Sequence, residues 1–325
     1  MTNYDTRWVS LSTESSYGGG ANGSVRYCEA DDESFNGRYD LVDRSDMTYY
    51  AQSKSKIGKE YSDGSVNWAM QADDWLGQIL LALFGTDTEA PDKTHTFTEA
   101  GTLPSHTLVV QRETKRHTFT GMVLDRFSVG ASLNEYVMCS ADFVGKAESA
   151  IVGSGSGATF STLDAAHFTG VTVQFEDAAA STLVKSVSME WSLNRDTDNS
   201  CGLGNSTYIR APAHQRRELS GTIEFNQAIY STSVNEPDYD NLVVTNDIIP
   251  GSTSAVTDGD IVATFSDGTN SLAVTAYKVV YETPETSVSG RDAQTMSVSF
   301  KGLYDGTANA LSRAVLINQQ ATAYS

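Results

Sequence analysis

Thr118–Lys146, TFTGMVLDRFSVGASLNEYVMCSADFVGK, decides the reading of this chain because the chain says it twice. Moved on by 157 positions, Thr275–Gly302 reads TAYKVVYETPETSVSGRDAQTMSVSFKG. At that offset Thr118 meets Thr275, Val123 meets Val280 and Asp125 meets Glu282. Ser140 then meets Ser297, Phe143 meets Phe300 and Gly145 meets Gly302. An earlier stretch obeys the same offset, with Gly64, Val66 and Trp68 meeting Gly221, Ile223 and Phe225. One constant offset over about eighty residues predicts two tandem copies of a β-rich module, and its period is too long for a solenoid.

The repeated strands have two faces. Val137, Cys139, Ala141 and Phe143 point one way, and Ser140 and Asp142 the other. In the second copy Met296, Val298 and Phe300 oppose Ser297 and Ser299. Val66/Ile223 and Trp68/Phe225 likewise face inward, and Asn67/Glu224 and Ala69/Asn226 outward. One face is expected to pack on a helix. The other, polar and almost free of Lys and Arg, is either an ordinary solvated sheet face or the lining of a wet channel.

The one clear helix begins at Asp73 or Asp74, carries Trp75, Leu76, Ile79, Leu80 and Leu83 at helical spacing, and stops at Gly85. A weaker helical candidate stands at Tyr239–Val244. Two long polar stretches, Phe35–Ile57 and Arg195–Arg217, read as loops in corresponding places of the two copies. Gly153–Gly157, GSGSG, reads as a flexible joint. The expected fold is α+β and mainly β: a module over 1–150, a Gly/Ser linker over 151–159 and a second module over 160–325, each a β-sandwich or half-barrel with one helix.

A length of 325 residues accommodates two ordinary domains, and 39% hydrophobic residues with 15 Tyr, 12 Phe and 4 Trp is a globular composition. The longest apolar run, Ile79–Phe84, is too short to cross a bilayer, and the first ten residues show neither a basic nor an apolar leader region. A soluble chain made in the cytoplasm is the expectation. Cys28, Cys139 and Cys201 are too few and too widely spaced for a disulfide framework or a zinc ribbon.

The net charge of −19, from 22 basic and 41 acidic residues, excludes a module that grips nucleic acid through its phosphates. It fits a surface for high salt, or one that lets a polyanion pass without sticking. The five histidines stand at no ligand spacing. Asp196-Thr197-Asp198 lacks the remaining ligands of a calcium loop, and Val144–Ala147 lacks the glycine and hydroxyl residue of a phosphate cradle. No catalytic, cofactor-binding or metal-ligating set emerges.

Trp8–Gly18, WVSLSTESSYG, resembles the opening of tail tube (major tail) proteins of long-tailed phages and their archaeal relatives. Asp63–Trp68 followed by the helix to Gly85, then Leu103–Leu108 and the closing Asp142–Lys146, are similar to that family in the same order. The resemblance implies a small β-sandwich with one helix, whose sheets join around a ring into a continuous β-barrel. The rings then stack into a tube that conducts the viral double-stranded DNA without binding it specifically. Asn67, Ser140, Asp142, Glu224, Asn226, Ser297 and Ser299 become candidate lumen residues. The two long loops become ring-stacking elements, with Tyr49, Tyr50, Tyr208 and Arg210 as anchors.

With two copies per chain, three chains would make a pseudo-sixfold ring, and a hexamer decorated by the second copy is the alternative. The implied partners are the chain itself and other tail proteins, with no membrane, no cofactor and no enzymatic activity. The implied location is the virion tail, assembled in the host cytoplasm, and the acidic composition suits a halophilic archaeal host. A two-domain β-sandwich adhesin or receptor-binding virion or surface protein is the reading from another class.

Overall fold

Asp73 accepts a hydrogen bond from the Leu76 amide at 3.0 Å, and Gly85 adopts a left-handed conformation (φ 98°) with its N–H on Leu81 O. Between these caps lies α1, Asp74–Phe84. A side chain at position 85 would be strained and would press on the carbonyl of Thr102, so glycine ends the helix here. Both signals were legible beforehand, and the helix falls where they put it.

The chain's computed structural model describes residues 7–45, 47–48, 50–52, 54–153, 157–175, 180–203, 207–227, 259–287 and 294–324. The second helical candidate, Tyr239–Val244, and most of the Gly/Ser joint lie outside the described residues. Among the described residues no helix is long and apolar enough to cross a membrane.

The strands of the first half are β1 (Trp8–Thr13), β2 (Arg26–Cys28), β3 (Asp32–Glu33), β4 (Asn36–Arg44) and β5 (Lys54–Ala69). After α1 come β6 (Gly85–Ala90), β7 (Thr94–Glu99), β8 (His106–Arg112), β9 (Lys115–Ser132), β10 (Met138–Gly145) and β11 (Ala147–Gly153). The second half has β12 (Val171–Phe175), β13 (Val184–Ser192), β14 (Arg195–Asp196), β15 (Ala213–His214) and β16 (Glu218–Phe225). It continues with β17 (Gly259–Ser266), β18 (Ser271–Tyr281), β19 (Glu285–Ser287), β20 (Thr295–Gly302) and β21 (Ser312–Ile317). The fold is α+β, mainly β, and all of these pairings are antiparallel.

The offset of 157 is a register. Trp68 lies opposite Cys139, and 157 residues on, Phe225 lies opposite Met296. Val123 lies opposite Val144, and Val280 opposite Lys301. In each half one long strand bends at a bulge and serves two layers. The first part of β9 carries β8, β1 and β2 on one side and β11 on the other. Its second part pairs with β10, beyond which lie β5 and then β3 and β4. β18 repeats this with β17, β12 and β21, then with β20 and β16.

The two halves share one core. Trp68, Trp75, Phe127, Trp191, Phe225 and Phe300 belong to a single buried cluster. β13 pairs with the second part of β9, and β21 pairs with β7 of the first half. The last residues lie back over α1, where Tyr324 packs on His95 and Phe97 and donates to Asp74 at 3.2 Å. Gly77 permits that approach, since a Cβ there would sit inside the Tyr324 ring. Cys28 and Cys139 are buried and Cys201 is exposed, and burial pushes the two inner thiols well above their usual range.

His106 is fully buried beneath α1 with its Nε2 3.2 Å from Gln78 Nε2. Desolvation lowers its pKa to about 4, against an opposing pull from Glu14. A depressed histidine contributes stability that is present above its unfolded pKa and is lost as the pH falls. Between about pH 6.5 and 4 the fold should lose roughly 3 kcal/mol through this group. Urea titrations at several pH values should show that loss in the native chain, and a much smaller one in His106→Gln. An equal slope in both would refute the assignment.

Candidate functional site: a polar sheet face and an exposed arm

Alternation along six strands delivers one continuous polar face. β5 turns Val66 and Trp68 into the core, leaving Ser65 and Asn67 outside. β10 leaves Ser140 and Asp142 outside, β9 leaves Arg126 and Ser128, and β13 leaves Ser188 and Glu190. β16 leaves Thr222 and Glu224, and β20 leaves Ser297 and Ser299. Register then aligns them across the sheet. Asp32 faces Asn67, Asn67 faces Ser140, Ser140 faces Ser128 and Ser128 faces Glu190. In a second row Ser132, Ser186, Glu224, Ser297 and Glu285 lie side by side.

Six of the seven residues singled out from sequence, Asn67, Ser140, Asp142, Glu224, Ser297 and Ser299, therefore share this face. Asn226 lies just beyond the end of β16, exposed, its N–H on Leu183 O. Sequence reasoning missed Asp32, Ser128, Glu190 and Glu285, which the alternation of their own strands would have revealed.

The face is not free of cations, as sequence suggested it nearly was, but carboxylates flank those it has. Arg126 lies 3.8 Å from Asp142 and 3.7 Å from Glu190. Lys185 lies 2.8 Å from Glu224, and Lys301 2.5 Å from Glu282. Desolvation, with Asp125 and Glu190 nearby, raises the Asp142 pKa although Arg126 pulls it down. Each of these cations is partly exposed and lies within ion-pair distance of a carboxylate.

The stretch Phe35–Ile57 forms an arm where sequence suggested a loop. β4 and the first part of β5 pair from Asn36/Asp63 out to Arg44/Lys54, with a bulge between Tyr39 and Leu41. Every residue of β4 is exposed. Tyr39 (60%), Leu41 (60%), Val42 (61%) and Ile57 (54%) leave an apolar patch in water on a two-stranded ribbon, and Tyr50 at the tip is fully exposed. Tyr49 lies outside the described residues. Alternation is not imposed on a ribbon wet on both faces, which is why the strand pattern did not show.

Arg195–Arg217 behaves differently. Its described residues are held within the chain: Glu60 N–H donates to Thr207 O at 2.8 Å, and Ile209 N–H to Glu60 O at 3.2 Å. Ile209 is buried in a small cluster with Val123 and Val144, against Tyr17 and Tyr61. Arg195 donates to Leu124 O and Pro212 O. Tyr208 is half-exposed beside Glu60, and Arg210 is exposed with its N–H on Ser200 O. The two long segments thus occupy matching places in the repeat, one extended into solvent and one laid on the base of the other.

A comparison with curated proteins returns no match. A family model described as phage tail tube protein matches residues 9–302, from β1 to the end of β20. The repeated register, the polar sheet face and the projecting arm are thus those of a chain that belongs to the phage tail tube protein family.

Proposed function

We propose that three chains close into a ring, that the rings stack into the tail tube of a virion, and that viral double-stranded DNA passes along the polar sheet face. One observation carries the reading. The strands β3/β4, β5, β10, β9, β13, β16, β20 and β18/β19 form one uninterrupted sheet, in which a four-strand unit occurs twice, three of its strands in the same register and the first (β3/β4 against β13) displaced by three residues. Two such units side by side in one chain make the second a lateral continuation of the first, which favours three chains with pseudo-sixfold symmetry over six chains with a decorating second copy. The division into modules over 1–150 and 160–325 follows the same repeat. Closure of the sheet would remove its lateral edges.

The chemistry of the face suits a conduit. Serines, threonines and asparagines hydrate without holding phosphate, and the cations named above are already engaged by carboxylates. Duplex DNA would slide with no ion pair to break. The net charge of −19 also suits assembly in the molar salt of a halophilic archaeal host, where the Debye length is about 3 Å. Other tail proteins would meet the ends of the tube.

The apolar arm is the stacking element, reaching from one ring to the next. Leu41→Asp together with Ile57→Asp should leave the fold intact, because both side chains are exposed already, yet prevent stacking. Negative-stain electron microscopy of the native chain in high salt should show tubes with a stain-filled hole, and of the double variant isolated rings. Native chains that remain single particles at every salt and concentration would contradict the tube. Tubes of normal length from the variant would contradict the role of the arm.

A further inference from the structure

The junction between the two halves of one chain exists in a second, unmated form at the outer edges of the same sheet. Inside the chain, β13 pairs with the end of β9 from Ser186/Ser132 to Ser192/Arg126. β3 and the start of β4 hold the place of β13 in the first half: Glu33 lies opposite Val66 as Val187 lies opposite Ile223. β19 holds the place of the end of β9 in the second half: Ser287 lies opposite Thr295 as Gly130 lies opposite Met138. Among the described residues, the outer edges of β3 and β19 pair with no strand. Resting on the tube reading, we propose that the β19 edge of one chain pairs antiparallel with the β3–β4 edge of a second copy, in the register of the β9–β13 junction.

That register is specific. Transposed residue by residue, Ser128/Glu190 becomes Glu285 opposite Asn36, Val129/Met189 becomes Thr286 opposite Phe35, and Arg126/Ser192 becomes Thr283 opposite Arg38. Charge supports it independently. Inside the chain Arg126 reaches diagonally across the junction to Glu190 at 3.7 Å while also touching Asp142 on its own side. Between copies the signs exchange sides: Arg38, which already touches Asp63, falls diagonal to Glu285. Each junction thus has one arginine and one glutamate on opposite strands, on different diagonals of the same quartet of positions.

The backbone is prepared and guarded at the same time. In the inner junction Leu193 N–H donates to Asp125 O and Leu133 N–H to Lys185 O, so alternate residues exchange the ladder bonds. The matching residues on the open edges are Tyr39, Gly37 and Phe35 against Glu282, Pro284 and Thr286, of which Glu282 gives its N–H to Ser299 O and offers its carbonyl, as Asp125 does to Leu193. Pro284 has no N–H, and proline is tolerated on an edge where it blunts indiscriminate pairing. Phe35 N–H is held by Glu33 Oε2 at 3.0 Å, and Arg112, paired with Glu33, donates to Phe35 O. A neighbour would exchange these bonds for its own, close to neutrally, so a free chain keeps the Phe35 backbone satisfied. The contact is head-to-tail, so it makes a ring when the rotation closes.

Asn36 and Glu285 form a pair that exchanges no ladder bonds, where Cα atoms come to about 4.5 Å and a disulfide fits. In a Cys201→Ser background, Asn36→Cys with Glu285→Cys should link most assembled chains under oxidation. The gel ladder should end at the number of chains per ring. Asn36→Cys with Thr286→Cys, whose side chains leave opposite faces, should link at least tenfold less. Tubes that form without the 36–285 link, or a link in Asn36→Cys alone, would overturn this junction and leave the tube reading intact. Failure of the native chain to form rings or tubes at any salt would overturn both.

Discussion

Trp191→Ala should lower the stability of the whole chain by about 3–5 kcal/mol, the range for emptying a large aromatic site in a packed core. Trp191 is buried on β13 directly opposite Phe127 of β9, with ring centroids 5.8 Å apart. Its Nε1 donates to the buried Ser312 hydroxyl at 3.0 Å, so one side chain ties β13 both to the first half and to β21. Truncation therefore opens a cavity at the seam and removes a buried hydrogen bond, two costs that the neighbouring strands cannot relax to meet. Urea unfolding of unassembled chain, followed by far-UV circular dichroism, should shift as a single transition, because one core spans both halves. A biphasic curve with only one phase moved would mean that the halves fold as independent bodies. Trp191→Phe, which keeps most of the ring and loses the donor, should cost about 1 kcal/mol more than the lost volume alone.

Ser140→Lys combined with Ser297→Lys should convert an inert tube into one that holds DNA. The two serines stand at equivalent places in the repeat, on β10 and β20, so three chains would set six ammonium groups around the polar face at one level. Both sites are already partly exposed, and the fold should tolerate them. Six phosphate contacts make affinity fall about a thousandfold between 50 and 200 mM salt, a signature that separates ionic retention from trapping. Sedimentation of tubes with short labelled duplexes should show no retention by the native tube and salt-sensitive retention by the variant. A variant tube that ignores DNA at low salt would place this face outside the channel.

Much of this was legible because burial imposes pattern. The repeat could be found from few identities since register and alternation fix which residues are apolar, and Trp68/Phe225 and Phe143/Phe300 face the same core. The helix was legible from its cap, its spacing and its terminal glycine. β6 and β7 were overlooked although Thr94, Thr96 and Thr98 alternate with His95 and Phe97, both buried; the threonines themselves carried the strand signal. The arm escaped because both of its faces are wet. The choice of β9 as the second partner of β13 had no sequence signal, because a strand edge presents only backbone and backbone is the same everywhere. The docking of Arg195–Arg217 turned on a few buried residues, Ser200, Ile209 and Pro212, scattered among polar neighbours.

The domain division has a physical qualification that sequence did not suggest. Hairpin β6–β7 belongs by order to the first half, yet β7 extends the β21 side of the second, and the terminal segment returns to α1. His95, buried, joins Asp87 at 2.8 Å and the Gln320 carbonyl at 3.2 Å at that crossing. The repeat is visible in the register, and the two halves form one packed unit.

The most direct test of the account is the mass and symmetry of one ring, read from a cryo-electron microscopy reconstruction of assembled tubes with mass per length alongside. Three chains of 35.0 kDa should give about 105 kDa per ring, with threefold symmetry and a wall of eight strands from each chain. Six chains per ring, or a wall in which only the first-half strands take part, would contradict it.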